Sequence, residues 1–60
     1  MTVYDIVREV LNNAIDNGYS HEIEALSDED LAWDMFEQGV FEDSFIEFLE
    51  VVNAINKYRG

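Results

Sequence analysis

The N-terminal part of the chain places apolar and polar residues at the spacing of an amphipathic helix. At about 100° per residue, one broad face is apolar and the opposite face is polar. The apolar face holds Val3, Ile6, Val7, Val10, Leu11 and Ala14, and the polar face holds Asp5, Glu9, Asn12 and Asp16. Thr2 and Asp5 stand in the positions of a capping box, which favours a helix start at Val3. Gly18 suits a helix C-terminus, so this helix is predicted to end near Asn17.

A second helix is predicted to begin at Ser27, which is followed by three acidic residues. Ser is a favoured N-cap, and carboxylates in the first turn are stabilised by the helix dipole. The apolar face is predicted to hold Leu31, Ala32, Met35 and Phe36, and the acidic face Asp30, Asp34 and Glu37. Trp33 falls at the border between the two faces. Gly39, after Gln38, is predicted to end the helix.

A third helix is predicted after the short connection formed by residues 40–43. Asp43 or Ser44 is expected to cap it, and Glu47 is placed for a capping box with Ser44. The buried face is predicted to hold Phe45, Phe48, Leu49, Val52 and Ile55, and the exposed face Asp43, Glu47 and Glu50. Lys57 and Arg59 stand in the last turn, where cations suit the helix dipole.

The stretch from Tyr19 to Leu26 fits two structures equally well. It is either a single helical turn capped by Ser20 or a loop that carries Ile23 and Leu26 into the core. No alternation typical of a strand runs long enough to compete with helix elsewhere. The sequence therefore predicts one all-α domain, residues 1–60: a small three-helix bundle, or a four-helix bundle if this stretch is helical.

The charge of the chain indicates which partners it can hold. It carries 14 Asp and Glu against 3 Lys and Arg, for a formal net charge of −11. Direct binding to nucleic acid is disfavoured because that affinity depends on cations, whereas a basic protein surface would be attracted. A hydrophobic fraction of 48% is too high for a disordered acidic tail. The lack of Cys, of a signal-peptide pattern and of a long apolar run favours a cytoplasmic protein without a membrane segment.

Metal binding and catalysis have little support in the sequence. The acids at Asp28, Glu29, Asp30 and Asp34 open a helix instead of alternating around a central Gly as in a calcium loop. His21 has no second His at the spacing of metal ligands, and Ser27 and Ser44 stand at helix caps. We therefore expect no enzyme activity, no metal and no cofactor.

Three acidic stripes and one Trp are the candidate binding features. Carboxylates one helical turn apart are separated by about 6 Å, a scale similar to that of phosphates along a nucleic-acid strand. The stripes fit a basic cleft built for nucleic acid, although charges also face outward simply for solubility. Trp33 is either an interface anchor or a core residue. The predicted partner-binding residues are Asp30, Trp33, Asp34, Glu37, Asp43, Glu47 and Glu50.

Self-association is also expected, because a chain of this length buries only about 60% of its unfolded surface and so has a marginal core. With no Cys there is no disulfide to supplement that core. A homodimer or a partner would bury the remaining apolar surface.

Residues 35–45 read Met-Phe-Glu-Gln-Gly-Val-Phe-Glu-Asp-Ser-Phe. This segment resembles the phosphopantetheine site of acyl or peptidyl carrier proteins, where a Phe-Glu-x-Gly run precedes Asp-Ser-Leu or Asp-Ser-Phe at a helix start. The resemblance implies a truncated carrier domain in which Ser44 holds the prosthetic group. Glu42 departs from the pattern as an extra residue between Gly39 and Asp43.

Small size, strong negative charge and the order Ser27-Asp28-Glu29-Asp30-Leu31-Ala32 carry a second resemblance. The whole chain resembles the small acidic proteins that bacteriophages encode, many of which inhibit host nucleases or defence complexes. It implies a phage-type inhibitor, a DNA mimic that occupies a basic, nucleic-acid-binding surface in the host cytoplasm. The alternatives are the carrier-like domain and a generic acidic adaptor subunit.

Overall fold

A computed structural model describes residues 1–42 and 45–60 of the chain. These ranges contain four α-helices and no strand: α1 (Val3–Asp16), α2 (Ser20–Ala25), α3 (Asp28–Glu37) and α4 (Phe48–Arg59). The fold is a small all-α bundle, which confirms the predicted fold class. The ambiguous stretch from Tyr19 to Leu26 forms the short helix α2.

Local capping fixes the starts of α1 and α3 where the sequence predicts them. The backbone N–H of Asp5 donates to Thr2 Oγ1 at 3.1 Å, and the Thr2 N–H donates to Asp5 Oδ2 at 3.2 Å. At α3, the Asp30 N–H donates to Ser27 Oγ at 3.2 Å. The predicted caps are therefore confirmed, and each satisfies backbone donors that a helix N-terminus leaves without partners.

Glycine follows α1 and α3 in the left-handed region of backbone conformation. Gly18 has φ +90° and Gly39 has φ +79°. This conformation costs a residue with a Cβ atom more than it costs glycine, so the chain can turn directly after each helix. The predicted ends of both helices are confirmed to within a residue.

Helix α4 is the centre of the bundle, because both α1 and α3 pack against it. The side chains of Val7, Val51 and Ile55 are fully buried. The buried core among the described residues consists of Val7, Leu11, Leu31, Ala32, Met35, Phe41, Val51, Ala54 and Ile55. Helix α2 makes a smaller contact, with α1.

The predicted start of the last helix is wrong. Helix α4 begins at Phe48, after three residues that are not helical, and its N-cap Glu47 makes no side-chain capping hydrogen bond. The caps predicted at Asp43 and Ser44, and the acidic position predicted at Asp43, lie outside the described residues.

The predicted buried face of the last helix is also wrong in part. Phe45 is fully exposed and Leu49 is 67% exposed, whereas Val51, Ala54 and Ile55 are buried. Leu49 lies about 200° around the helix from Val51, so the two cannot both face the core. The small side chain of Ala54 lies on the face that packs against the neighbouring helices, and a search for large apolar residues overlooks it.

Candidate protein-binding surface

Trp33 lies on the surface of α3 and is held there by a second aromatic ring. Its side chain is 59% exposed, and its ring centroid is 4.8 Å from that of Phe48 at the start of α4. The two rings are tilted by 41°. This offset geometry is favourable for aromatic pairs, so Trp33 is both exposed and positioned.

A series of ring contacts connects Trp33 with the core. Phe48 lies 6.1 Å from Phe36, and Phe36 lies 5.3 Å from Phe41, centroid to centroid. Phe41 is only 3% exposed. Because its supporting rings are anchored in the core, Trp33 has less conformational freedom to lose when it contacts a partner.

Further apolar side chains lie exposed on the chain segment that carries Phe48. Phe45 is fully exposed and Leu49 is 67% exposed. We name Trp33, Phe45, Phe48 and Leu49 the Trp33 surface. Apolar groups left in water favour association with another apolar surface.

Exposed carboxylates accompany the Trp33 surface on both of its helices. The predicted binding residues among them are Asp30, Asp34 and Glu37 on α3, and Glu47 and Glu50 at the start of α4; all five are exposed, as is Glu29 on α3. Among the described residues, none of the five is in a salt bridge. Asp34 accepts a hydrogen bond from Gln38 Nε2 at 3.0 Å. The contact between α3 and α4 thus brings the stripe on α3 and the described part of the last stripe, Glu47 and Glu50, onto one pair of packed helices.

The basic side chains are engaged elsewhere. Arg8 lies 3.9 Å from Asp5, and the Lys57 ammonium lies 4.6 Å from the ring centroid of Tyr4. Arg59 forms an ion pair with Asp28. These are the chain's three basic residues, so the Trp33 surface carries a field of one sign.

The first acidic stripe, on α1, differs from the other two. The hydrogen bond from the Thr2 backbone, and then that from its hydroxyl, lowers the pKa of Asp5, and Arg8 adds to the effect. Asp5 therefore takes part in the cap of its own helix. On α3, which also carries Trp33, only Asp30 of the stripe lies in the first turn, and Asp34 and Glu37 lie beyond it.

The contacts of Arg59 were not predicted from the sequence. Arg59 Nη1 donates to Asp28 Oδ1 at 2.8 Å, and Nη2 donates to the carbonyl oxygens of Ile23 and Leu26. Asn56 Nδ2 also donates to Asp28, at 3.1 Å. The pKa of Asp28 is lowered, chiefly by the Arg59 hydrogen bond. We name this set of contacts the Arg59 clamp; it joins the end of α4 to the α2–α3 connection.

The described residues offer less support for a metal site, a membrane-spanning helix or a carrier-type serine. Within residues 1–42 and 45–60, no group of three or more His, Cys, Asp or Glu side chains is arranged to hold a metal ion. No helix in these ranges has the length and apolarity needed to cross a membrane. Comparison of the chain with models of protein families, with curated proteins and with solved structures finds no match. Ser44, the position implied by the carrier resemblance, lies outside the described residues.

Proposed function

We propose that this protein is an acidic protein-binding module whose Trp33 surface docks on a basic surface of a partner protein. The observation that carries the proposal is the exposed Trp33, in contact with the tilted ring of Phe48, on a pair of helices that with the N-cap Glu47 also presents the exposed predicted carboxylates. An aromatic anchor surrounded by charges of one sign combines the two features that stabilise and orient a protein complex.

The aromatic and acidic parts of the surface have different tasks. Trp33 contributes apolar area at the centre of the contact, where truncation of a Trp often costs more than 2 kcal/mol. The carboxylates act over a longer range, because their summed field attracts a basic partner before contact. They therefore raise the association rate, whereas Trp33 slows dissociation.

The specific form of the proposal is a phage-type inhibitor that covers a nucleic-acid-binding surface. Asp30 and Asp34 are four residues apart on α3, a rise of about 6 Å along the axis, and Glu37 follows three residues later, a rise of about 4.5 Å. Successive phosphates are spaced on a similar scale, so a cleft that binds them offers cations at matching positions. Binding of the partner should then compete with nucleic acid.

The test begins with affinity capture from host lysate, using the wild-type chain and the Trp33→Ala variant as matched baits. A partner retained only by the wild type is identified by mass spectrometry, and its association and dissociation rates are then measured at low and high salt. Trp33→Ala should raise the dissociation rate by about 30-fold, the equivalent of 2 kcal/mol.

The charge argument is tested by a triple variant in which Asp30 and Asp34 become Asn and Glu37 becomes Gln. Its association rate should fall and lose most of its salt dependence. The matched control, Glu9→Gln with Asp16→Asn and Glu24→Gln, removes the same number of charges from other exposed positions. If the two triple variants changed the association rate equally, or if the affinity did not depend on salt concentration, the acidic residues would serve only solubility.

A further inference from the structure

A second surface feature is a groove between α1, α2 and α3, which shares Asp34 with the acidic side chains beside the Trp33 surface but does not include Trp33. It has a volume of about 440 Å³. We name it the α2 groove. Its apolar lining includes Val10 and Ala14 from α1, Ile23 from α2, and Leu31 from α3. The volume is within the range of roughly 300–1,000 Å³ typical of ligand sites in proteins.

The groove exists because α4 holds α1 and α3 without α2 filling the space beside them. Helix α2 has six residues, and none of its side chains is fully buried. Ile23 is only half-buried, and Ala14 on the facing helix carries a single methyl group. The Arg59 clamp bonds the carbonyl oxygens of Ile23 and Leu26, so α2 is tied to the bundle at its C-terminal end.

The charges at the groove select its occupant. Glu22 and Asp34 line it and are exposed, and no basic side chain is among its lining residues in the part of the chain that the structure describes. Apolar walls beside two carboxylates complement an apolar side chain that has Lys or Arg next to it. An acidic segment would be repelled, and a neutral one would gain no attraction from the two carboxylates.

We infer that the α2 groove binds a basic amphipathic helix of a partner protein, with apolar side chains inside the groove and Lys or Arg at Glu22 and Asp34. Amphipathic helices commonly bind in this way, with apolar residues one turn apart as anchors. The inference goes beyond the proposed function, because it needs no contact with Trp33. Asp34 belongs to both surfaces, so the two are distinguished by Trp33→Ala and Glu22→Gln, each of which changes one surface alone.

The probe is a synthetic amphipathic peptide of Leu and Lys, about 14 residues long, which gives about four helical turns. It is titrated into the isotope-labelled full chain while backbone amide and methyl resonances are followed by NMR. We expect saturable shifts that concentrate at Val10, Ala14, Ile23 and Leu31. A Leu/Glu peptide of the same order, and a Leu/Lys peptide in scrambled order, should not saturate at these positions.

Two kinds of variant test the apolar and the charged part separately. Ala14→Leu places a larger side chain in the groove and should weaken binding about tenfold or more, while Leu keeps a high helix propensity. Glu22→Gln should weaken binding about threefold, the scale of an exposed ion pair. Glu24→Gln is the matched control on the same helix, outside the groove lining, and should leave the affinity unchanged.

The outcomes separate this inference from the proposed function. If Trp33→Ala leaves the peptide affinity unchanged, the groove acts independently of the Trp33 surface. Shifts confined to the Trp33 indole and its neighbours would overturn the groove site. Equal affinity for the Leu/Lys and Leu/Glu peptides, or equal effects of Glu22→Gln and Glu24→Gln, would overturn its charge selectivity. If circular dichroism shows that Ala14→Leu does not fold, the comparison of peptide affinity between Glu22→Gln and Glu24→Gln still tests the groove site.

Discussion

Replacement of Arg59 by Ala should destabilise the bundle by about 2 kcal/mol. The change removes a hydrogen bond to Asp28 at 2.8 Å and those to the carbonyl oxygens of Ile23 and Leu26. Hydrogen bonds to charged groups contribute about 1.5–3 kcal/mol when shielded, and exposed ion pairs about 0–1 kcal/mol. The Arg59 and Asp28 side chains are 27% and 23% exposed, so partial screening by water holds the contribution of the whole set to about 2 kcal/mol, in the lower part of the first range. Asp28 keeps its hydrogen bond from Asn56.

Urea unfolding followed by circular dichroism measures this loss. In a thermal unfolding experiment on a domain of this size, the same loss of about 2 kcal/mol corresponds to a fall of about 10 °C in the melting temperature. Arg8→Ala is the control, because Arg8 makes only a 3.9 Å contact with Asp5 and its side chain is 55% exposed. Arg59→Lys should recover part of the stability, since an ammonium keeps the charge but lacks the planar fork of donors.

The Arg59 clamp also gives the stability a defined pH dependence. Because Arg59 holds the pKa of Asp28 below its ordinary value, this contribution is fully present above the unfolded pKa of about 3.9. It is lost as pH falls through the lower, folded pKa, since the unfolded state binds the proton first. The stability difference between wild type and Arg59→Ala should be constant from about pH 5 to 7 and narrow below about pH 4.

The result that would refute the reasoning is specific. If Arg59→Ala were no more destabilising than Arg8→Ala, the clamp would not tie the helices together. If the difference in unfolding free energy between wild type and Arg59→Ala stayed constant as the pH fell to the acid transition, Asp28 would not contribute to the stabilisation. Amide hydrogen exchange offers a second readout, because loss of the clamp should speed exchange in α2 more than in α1.

Three further predictions follow from the packing of the bundle and from its surface. Leu49→Ala should change the unfolding free energy by less than about 0.5 kcal/mol, whereas Ile55→Ala should cost about 3 kcal/mol in the same urea assay; an equal cost at the two positions would restore the predicted buried face, which held both residues. Sedimentation should show a monomer at low salt and a dimer at high salt, because salt screens the repulsion that keeps two Trp33 surfaces apart; monomer under all conditions would remove self-association. Co-expression with a phosphopantetheinyl transferase should leave the protein mass unchanged, and a mass gain on Ser44 would favour the carrier resemblance instead.

Features set by neighbouring residues were predictable from the sequence, and features set by distant contacts were not. The start of α1 depends on Thr2 and Asp5, and the start of α3 on Ser27, so each can be read from a few adjacent positions. The buried face of α4 depends on how two other helices approach it, and both Leu49 and Val51 fit a helical pattern on their own. The packing of α1 and α3 against α4 buries Val51 and leaves Leu49 exposed.

In the candidate site, too, some features were predictable from the sequence and others depend on distant contacts. The exposure of the acidic side chains follows from the cost of burying charge, so Asp30, Asp34 and Glu37 were predictable as surface residues. The position of Trp33 at the border of its helix left two outcomes open, and the ring of Phe48 decides how it lies. The Arg59 clamp joins residues more than thirty positions apart, for which the local sequence carries no signal.

The central position of α4 has a consequence for the order in which this protein acquires structure. Helices α1 and α3 precede α4 along the chain, yet each buries much of its apolar face against it. During synthesis the ribosome therefore exposes two amphipathic helices before their common partner exists, and short isolated helices are marginal in water. Their acidic faces repel one another and other copies of the nascent chain during this interval. The negative charge of these two helices thus opposes premature association of the unfinished chain.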